Sequence, residues 1–135
     1  MRFESVGYLR WSPGRLVLEV DPGIVEVARA LVPKHIRLNR QKYAPHITVI
    51  RHLKAEEEAW LLAHPRWGGT REGEEVAFTY SPEVQIDETY YWLNAWSSRL
   101  EDVREELGLP RSDWYTEPPD HSHCFHATIG NTKSV

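Results

Sequence analysis

His46-Ile47-Thr48-Val49 and its counterpart His126-Ala127-Thr128-Ile129 are the stretches that decide how this chain folds. Each follows an apolar or proline-bearing lead-in, Ala44-Pro45 in one and Cys124-Phe125 in the other. As β-strands both alternate, so His46 and Thr48 share one face while Ile47 and Val49 share the other. His126 and Thr128 stand against Ala127 and Ile129 in the same way. Burial of the apolar residues fixes which face the polar pair presents, because a slip of one residue would put the polar pair in the core. At a rise of ~3.3 Å per residue, an imidazole and a hydroxyl lie about 7 Å apart along each strand. Two histidines brought together can serve as proton acceptor and proton donor, which metal-free cleavage of a phosphodiester requires.

Outward from the first copy, Arg15–Val20 alternates as a strand, and Asp21-Pro22 supplies an N-cap acid with proline at the first helical position. Ile24, Val27, Ala28 and Leu31 then fall on one helix face, Pro33 ends the helix, and a basic loop leads into His46–Ile50. The second half repeats the order. Thr89–Trp96 is a strand rich in β-favouring residues, and Ser98-Arg99-Leu100-Glu101 has the form of a capping box. Leu100, Val103 and Leu107 make the apolar stripe, Gly108 and Pro110 stop the helix, and a loop with Pro118-Pro119 leads to a strand at His123–Ile129. Between the halves come a short helix at Ala55–Ala63, a Gly-rich turn at Trp67–Gly73 and a strand at Val76–Tyr80. The expectation is an α+β fold in a single domain, residues 1–135. Two pseudo-repeated strand-helix-strand units, about 15–50 and 89–130, would form lobes whose His-bearing strands line a shared groove.

Composition bounds the partners. A net charge of −4 and a pI near 6.0 argue against a protein that grips long nucleic acid, where Lys and Arg neutralise many phosphates. A small nucleotide remains open. The run Arg29, Lys34, Arg37, Arg40, Lys42, Arg51 and Lys54 contains no acid and brackets the first motif, so it is either a phosphate-attracting patch or a solvated basic face. The single cysteine, Cys124, excludes an internal disulfide; no leader-like or membrane-spanning run occurs, and a cytoplasmic location is expected. His121, His123, Cys124 and His126 are a dense set of zinc-type donors. One continuous strand would nevertheless point the first two away from the last two, so neither a metal nor another cofactor is expected. Trp11 and Tyr115, beside the turn-forming Ser12-Pro13-Gly14 and Pro118-Pro119, are candidate base-stacking residues, and Tyr43 and Arg51, flanking the first motif, are candidate base or phosphate contacts.

The two His-x-Thr-x motifs, each on a strand after a strand-helix unit, resemble those of the 2H phosphoesterase superfamily. Phe125-His126-Ala127-Thr128-Ile129-Gly130-Asn131-Thr132 looks most like a bacteriophage branch that includes small tail-fibre-assembly or RNA-repair-like proteins and enzymes degrading the cyclic oligonucleotides of CBASS immunity. The resemblance implies a two-lobed fold with antiparallel sheets around a central groove. It implies His46 and His126 as the acid–base pair, and Thr48 and Thr128 as donors to the non-bridging phosphate oxygens. It further implies a cofactor-independent phosphodiesterase acting on a cyclic oligonucleotide or on an RNA end bearing a 2′,3′-cyclic phosphate. A non-enzymatic assembly or binding module is the rival from another class. Larger members continue past the second motif with a segment that covers the substrate, whereas here Val135 follows soon after it.

Overall fold

Among the described residues the elements are Phe3–Ser12 (β1), Arg15–Glu19 (β2), Pro22–Ala30 (α1), His46–Ile50 (β3), Glu75–Ile86 (β4), Tyr90–Trp96 (β5), Ser98–Glu106 (α2) and Phe125–Asn131 (β6). They are seen in a computed structural model that describes residues 1–12, 15–51, 71–111 and 125–133. The expected helix at Ala55–Ala63 and the start of the Gly-rich turn lie outside these residues. No helix among the described residues is long and apolar enough to cross a membrane.

The fold is mixed α+β. The six strands among the described residues close into one antiparallel ring in the order β1-β2-β3-β6-β5-β4. Within that ring β1-β2-β3 and β4-β5-β6 follow the same path, each with its helix between the second and third strand, and they meet at two seams, β3·β6 and β1·β4. Each repeat is therefore one strand longer than the sequence pattern implied. β1 was hidden because Ser5 and Gly7 fall on its apolar face between Phe3 and Leu9 and blur the alternation. Gly7 is small for a reason: a β-carbon there would run into the Glu19 carbonyl and would sit 2.7 Å from the Leu18 side chain. β4 runs on past the expected Tyr80. Its register against β5 shifts between Tyr80 and Val84, so Pro82, which has no N–H to give, falls where the ladder is already interrupted.

α1 and α2 lie on the apolar face of the ring. Leu9, Leu16, Leu18, Ile47, Val49, Phe78, Ala95, Phe125 and Ala127 pack with Leu100, Val103 and Leu107 of the α2 region, and Val25, Ala28 and Val32 of the α1 region pack with Tyr91, Leu93 and Ile129. Asp21 caps α1 through the Gly23 amide at 2.8 Å, with Pro22 in the first turn. The buried stripe of α1 is rotated from the expected one: Val25, Ala28 and Val32 are inside, whereas Val27 and Leu31 are 65% and 69% exposed. The sequence offers two overlapping apolar stripes, and contact with β6 selects the one that includes Val25. On α2 the cap is Ser97, not Ser98. Its backbone is extended, its hydroxyl accepts from the Leu100 amide at 3.2 Å and donates to the Ala77 carbonyl at 2.9 Å. Gly108 ends this segment at φ 80, letting its own amide reach the Glu105 carbonyl and that of Leu109 the Arg104 carbonyl, the paired closure that glycine permits after a helix.

Candidate active site

β3 and β6 are antiparallel neighbours aligned at Ile47↔Ala127. That register sets His46 opposite Thr128 and Thr48 opposite His126, all four on one face, because opposed residues on paired strands point the same way. The two histidines thus stand on a diagonal, roughly 7–8 Å apart along the backbone and somewhat less between β-carbons. Ile47, Val49, Ala127 and Ile129 are buried on the opposite face, while His46, Thr48, His126 and Thr128 are each half-buried. The alternation read from sequence therefore holds in both strands, and the register unites the two motifs.

Neighbouring strands complete the surface. On β2, Glu19 lies opposite His46 and Val17 opposite Thr48. Arg15, two residues back on the same face as Val17, brings its Nη2 to 2.9 Å from His46 Nε2. His46 Nδ1 lies 2.7 Å from the Ala44 carbonyl and donates to it. An arginine has only donors, so Nε2 accepts, and the ring is neutral with its proton on Nδ1. On β5, Trp92 lies opposite Thr128 and Asn94 opposite His126. The Trp92 and His126 rings meet edge-on at 6.3 Å, and the indole N–H donates to Asn94 Oδ1 at 2.9 Å.

Both imidazoles are held below the ordinary value of 6.5. For His46 the main cause is burial, which penalises the charged form. The Ala44 carbonyl opposes this, the Arg15 guanidinium adds to it, and Glu19 opposes it. For His126 burial again leads, and the proximity of His46 adds to it. Near neutrality the face therefore presents two uncharged rings flanked by two hydroxyls and one guanidinium. That set can accept a proton, return one once an anion raises a ring's basicity, and donate hydrogen bonds to phosphoryl oxygens.

Of the expected substrate contacts, Tyr43 belongs to this neighbourhood. It is exposed, and the Arg15 guanidinium lies over its ring at 5.2 Å. Arg51 sits half-buried one residue beyond β3. Trp11 does not join the site. It pairs with Leu16 on β2 and packs against the core cluster, on the face away from the histidines. Tyr115 lies outside the described residues, as do His121, His123 and Cys124 of the possible donor cluster. Among the described residues no group of three or more His, Cys, Asp or Glu is placed to hold a metal ion. The basic run is partly spent on structure: Arg29 donates to backbone carbonyls and Arg40 pairs with Glu26.

Sequence reasoning missed Arg15, Trp92 and Asn94. The signal was present in β5, where Trp92, Asn94 and Trp96 alternate against Tyr91, Leu93 and Ala95, an amide between two indoles on the polar face. A groove of about 690 Å³ opens on this strand at Trp96 and runs over Glu4, Val6, Ala77 and Thr79. None of the four motif residues lines it. It begins two residues along β5 from Asn94, on the face the histidines occupy.

Compared with known proteins, the chain matches no protein-family model, no curated protein and no solved structure.

Proposed function

We propose that the protein is a metal-independent phosphodiesterase with a two-lobed, 2H-phosphoesterase-like architecture, in which β1-β2-β3 and β4-β5-β6 are the lobes and the β3·β6 seam is the reacting centre. The observation that carries this is the pairing at Ile47↔Ala127, which gathers two imidazoles and two hydroxyls onto one face.

In this reading the substrate is a small cyclic oligonucleotide, opened by its own 2′-hydroxyl. His46 Nε2 takes the hydroxyl proton, the 2′-oxygen bonds to phosphorus, the bond to the 5′-oxygen breaks, and His126 supplies the proton that the leaving oxygen needs. The roles follow from the contacts. His46 already presents a lone pair at Nε2, held by a guanidinium that an arriving phosphate would draw off. His126 has no such cation on its ring among the described residues, and an anion beside it would raise its basicity and load it with a proton. Each transfer contributes roughly 10²–10⁴-fold. Thr48 and Thr128 donate to the non-bridging oxygens, where charge builds. The groove at Trp96 gives room for the rest of a molecule larger than one phosphodiester. The expected setting is the cytoplasm, and the host cytoplasm if the gene is carried by a phage, where such an enzyme would remove an immune signal.

The test is a panel of cyclic di- and trinucleotides beside RNA ends carrying 2′,3′-cyclic phosphates, with chromatography of the products. Opening of a cyclic oligonucleotide to a linear product supports the reading. Turnover of the RNA ends alone would reassign the enzyme to end processing, with water as nucleophile. No turnover of either, with His46→Ala and His126→Ala indistinguishable from wild type in every binding assay, would leave a non-catalytic module.

A further inference from the structure

The fourth residue of each motif breaks its strand's register. Against β2, Thr48 pairs with Val17 and Ile50 with Leu16, so Val49 has no partner. Against β5, Thr128 pairs with Trp92 and Gly130 with Tyr91, so Ile129 has none. Both are bulged residues, and a bulge bends its strand and re-aims the side chains beside it. Both are also buried, so each carbonyl needs a donor.

The donors are two arginines in matching places. Arg29 Nη1, from α1 of the first half, donates to the Ile129 carbonyl of the second half at 2.7 Å. Arg104 Nη1, from α2 of the second half, donates to the Val49 carbonyl of the first half at 2.7 Å. Each arginine also grips the segment after its own helix: Arg29 Nη2 reaches the Leu38 carbonyl at 2.8 Å, and Arg104 Nε the Pro110 carbonyl at 2.7 Å. A guanidinium can do this because its donors form a rigid planar fork, which a lysine lacks.

We propose that Arg29 and Arg104 are reciprocal positioning residues, each reaching from the helix of one half to the bulge that follows the His-x-Thr of the other and so setting the pose of the opposite half's histidine. Arg29 governs His126, and Arg104 governs His46. The histidine bearing the proton and the histidine accepting it are thereby braced from each other's halves, which keeps their mutual geometry fixed while either helix shifts. The catalytic part of this rests on the proposed function; the structural coupling does not.

The experiment uses the full chain carrying Arg29→Lys, Arg29→Gln, Arg104→Lys or Arg104→Gln. Two-dimensional NMR of the imidazole nitrogens reads each histidine, and kinetics on a substrate found by the panel read turnover. Arg29 variants should move the His126 resonances and leave those of His46 in place, and Arg104 variants the reverse. In the same proteins kcat should fall about 10- to 100-fold, as misplacement of reacting groups by an ångström does, with KM within about threefold of wild type. Resonance shifts confined to the histidine of the arginine's own half, or no shift in a folded variant, would overturn the proposal. So would an unchanged kcat in a variant whose resonances do move. If the wild-type chain turns over nothing in the panel, the enzyme reading fails while the resonances still decide the coupling. If the buried Arg104 variants do not fold, the half-buried Arg29 pair decides alone.

Discussion

Nη2 of Arg15 and Nε2 of His46 lie 2.9 Å apart, and the same guanidinium stands over the exposed Tyr43 ring at 5.2 Å. A cation in that place penalises the imidazolium, and burial penalises it more. Replacing Arg15 with Met should therefore raise the His46 titration midpoint, since one opposing charge is gone while burial remains. NMR titration checks the direction, and a midpoint that stayed or fell would show that the contact does not act on the ring. In the proposed enzyme the same change should raise KM about 10- to 100-fold, the cost of a lost charge-assisted hydrogen bond to phosphate.

His46→Ala and His126→Ala should each lower kcat by about 10²–10⁴-fold, with circular dichroism and unfolding profiles close to wild type. The double variant should lose less than the product of the two, because groups that act as a unit are not additive. Thr48→Val and Thr128→Val keep the shape and remove the hydroxyl, and a loss of about 10- to 10³-fold is expected from each. Normal turnover in both histidine variants would remove the acid–base pair from the mechanism.

The pH profile of kcat/KM should be bell-shaped, with its optimum on the acidic side of 6.5, because both rings are held below that value in the free protein. Activity should survive EDTA. An optimum well above neutrality, or loss in chelator restored by a divalent ion, would contradict the two-histidine mechanism.

The same shifts act on stability. A histidine with a lowered folded pKa binds fewer protons folded than unfolded, so stability rises with pH across the gap between the two values. Unfolding free energy should therefore be full above 6.5 and decline as the pH falls below it toward the folded values of the two rings. Denaturant melts of wild type and of His46→Gln/His126→Gln, taken on both sides of that window, measure it. The double variant should lose part of the slope.

Gly130, two residues after Thr128, has no room for a side chain. A β-carbon would lie 2.5 Å from the Asn39 carbonyl, 2.6 Å from Leu38 Cγ and 2.7 Å from Arg29 Nη1. Gly130→Ala should destabilise the fold by about 1–3 kcal/mol through overpacking. A thermal melt within experimental error of wild type would mean that the segment around Asn39 yields freely.

What could be read from the residues was whatever repeats at short range. The two-residue alternation of His46–Val49 and Phe125–Ile129, the proline after Asp21 and the glycine at 108 each act within a few positions, and each appears in the structure where the chain alone implies it. Register is different. Nothing local says that Ile47 meets Ala127 or that β1 pairs with β4, since both depend on segments far apart in the chain. Arg15 was equally silent because its role comes from β2 lying beside β3. Arg29 and Arg104 left a trace: each stands within an apolar stripe, Arg29 between Val25 and Val32 and Arg104 between Leu100 and Leu107. A cation at such a place has to find backbone acceptors inside, and that could have marked both.

Every strand among the described residues has a hydrogen-bonded neighbour on each side, because β4 returns to β1 and β6 to β3. Unpaired β-edges are the usual template on which a foreign strand adds or copies of a chain aggregate. These strands offer such a template only where the ring leaves one side unmatched, as along Phe3–Val6, which pair with β4 but not with β2. Elsewhere association through this ring has to be made by side chains, and Val27 and Leu31, one helical turn apart on the outer side of the α1 region, are exposed apolar groups.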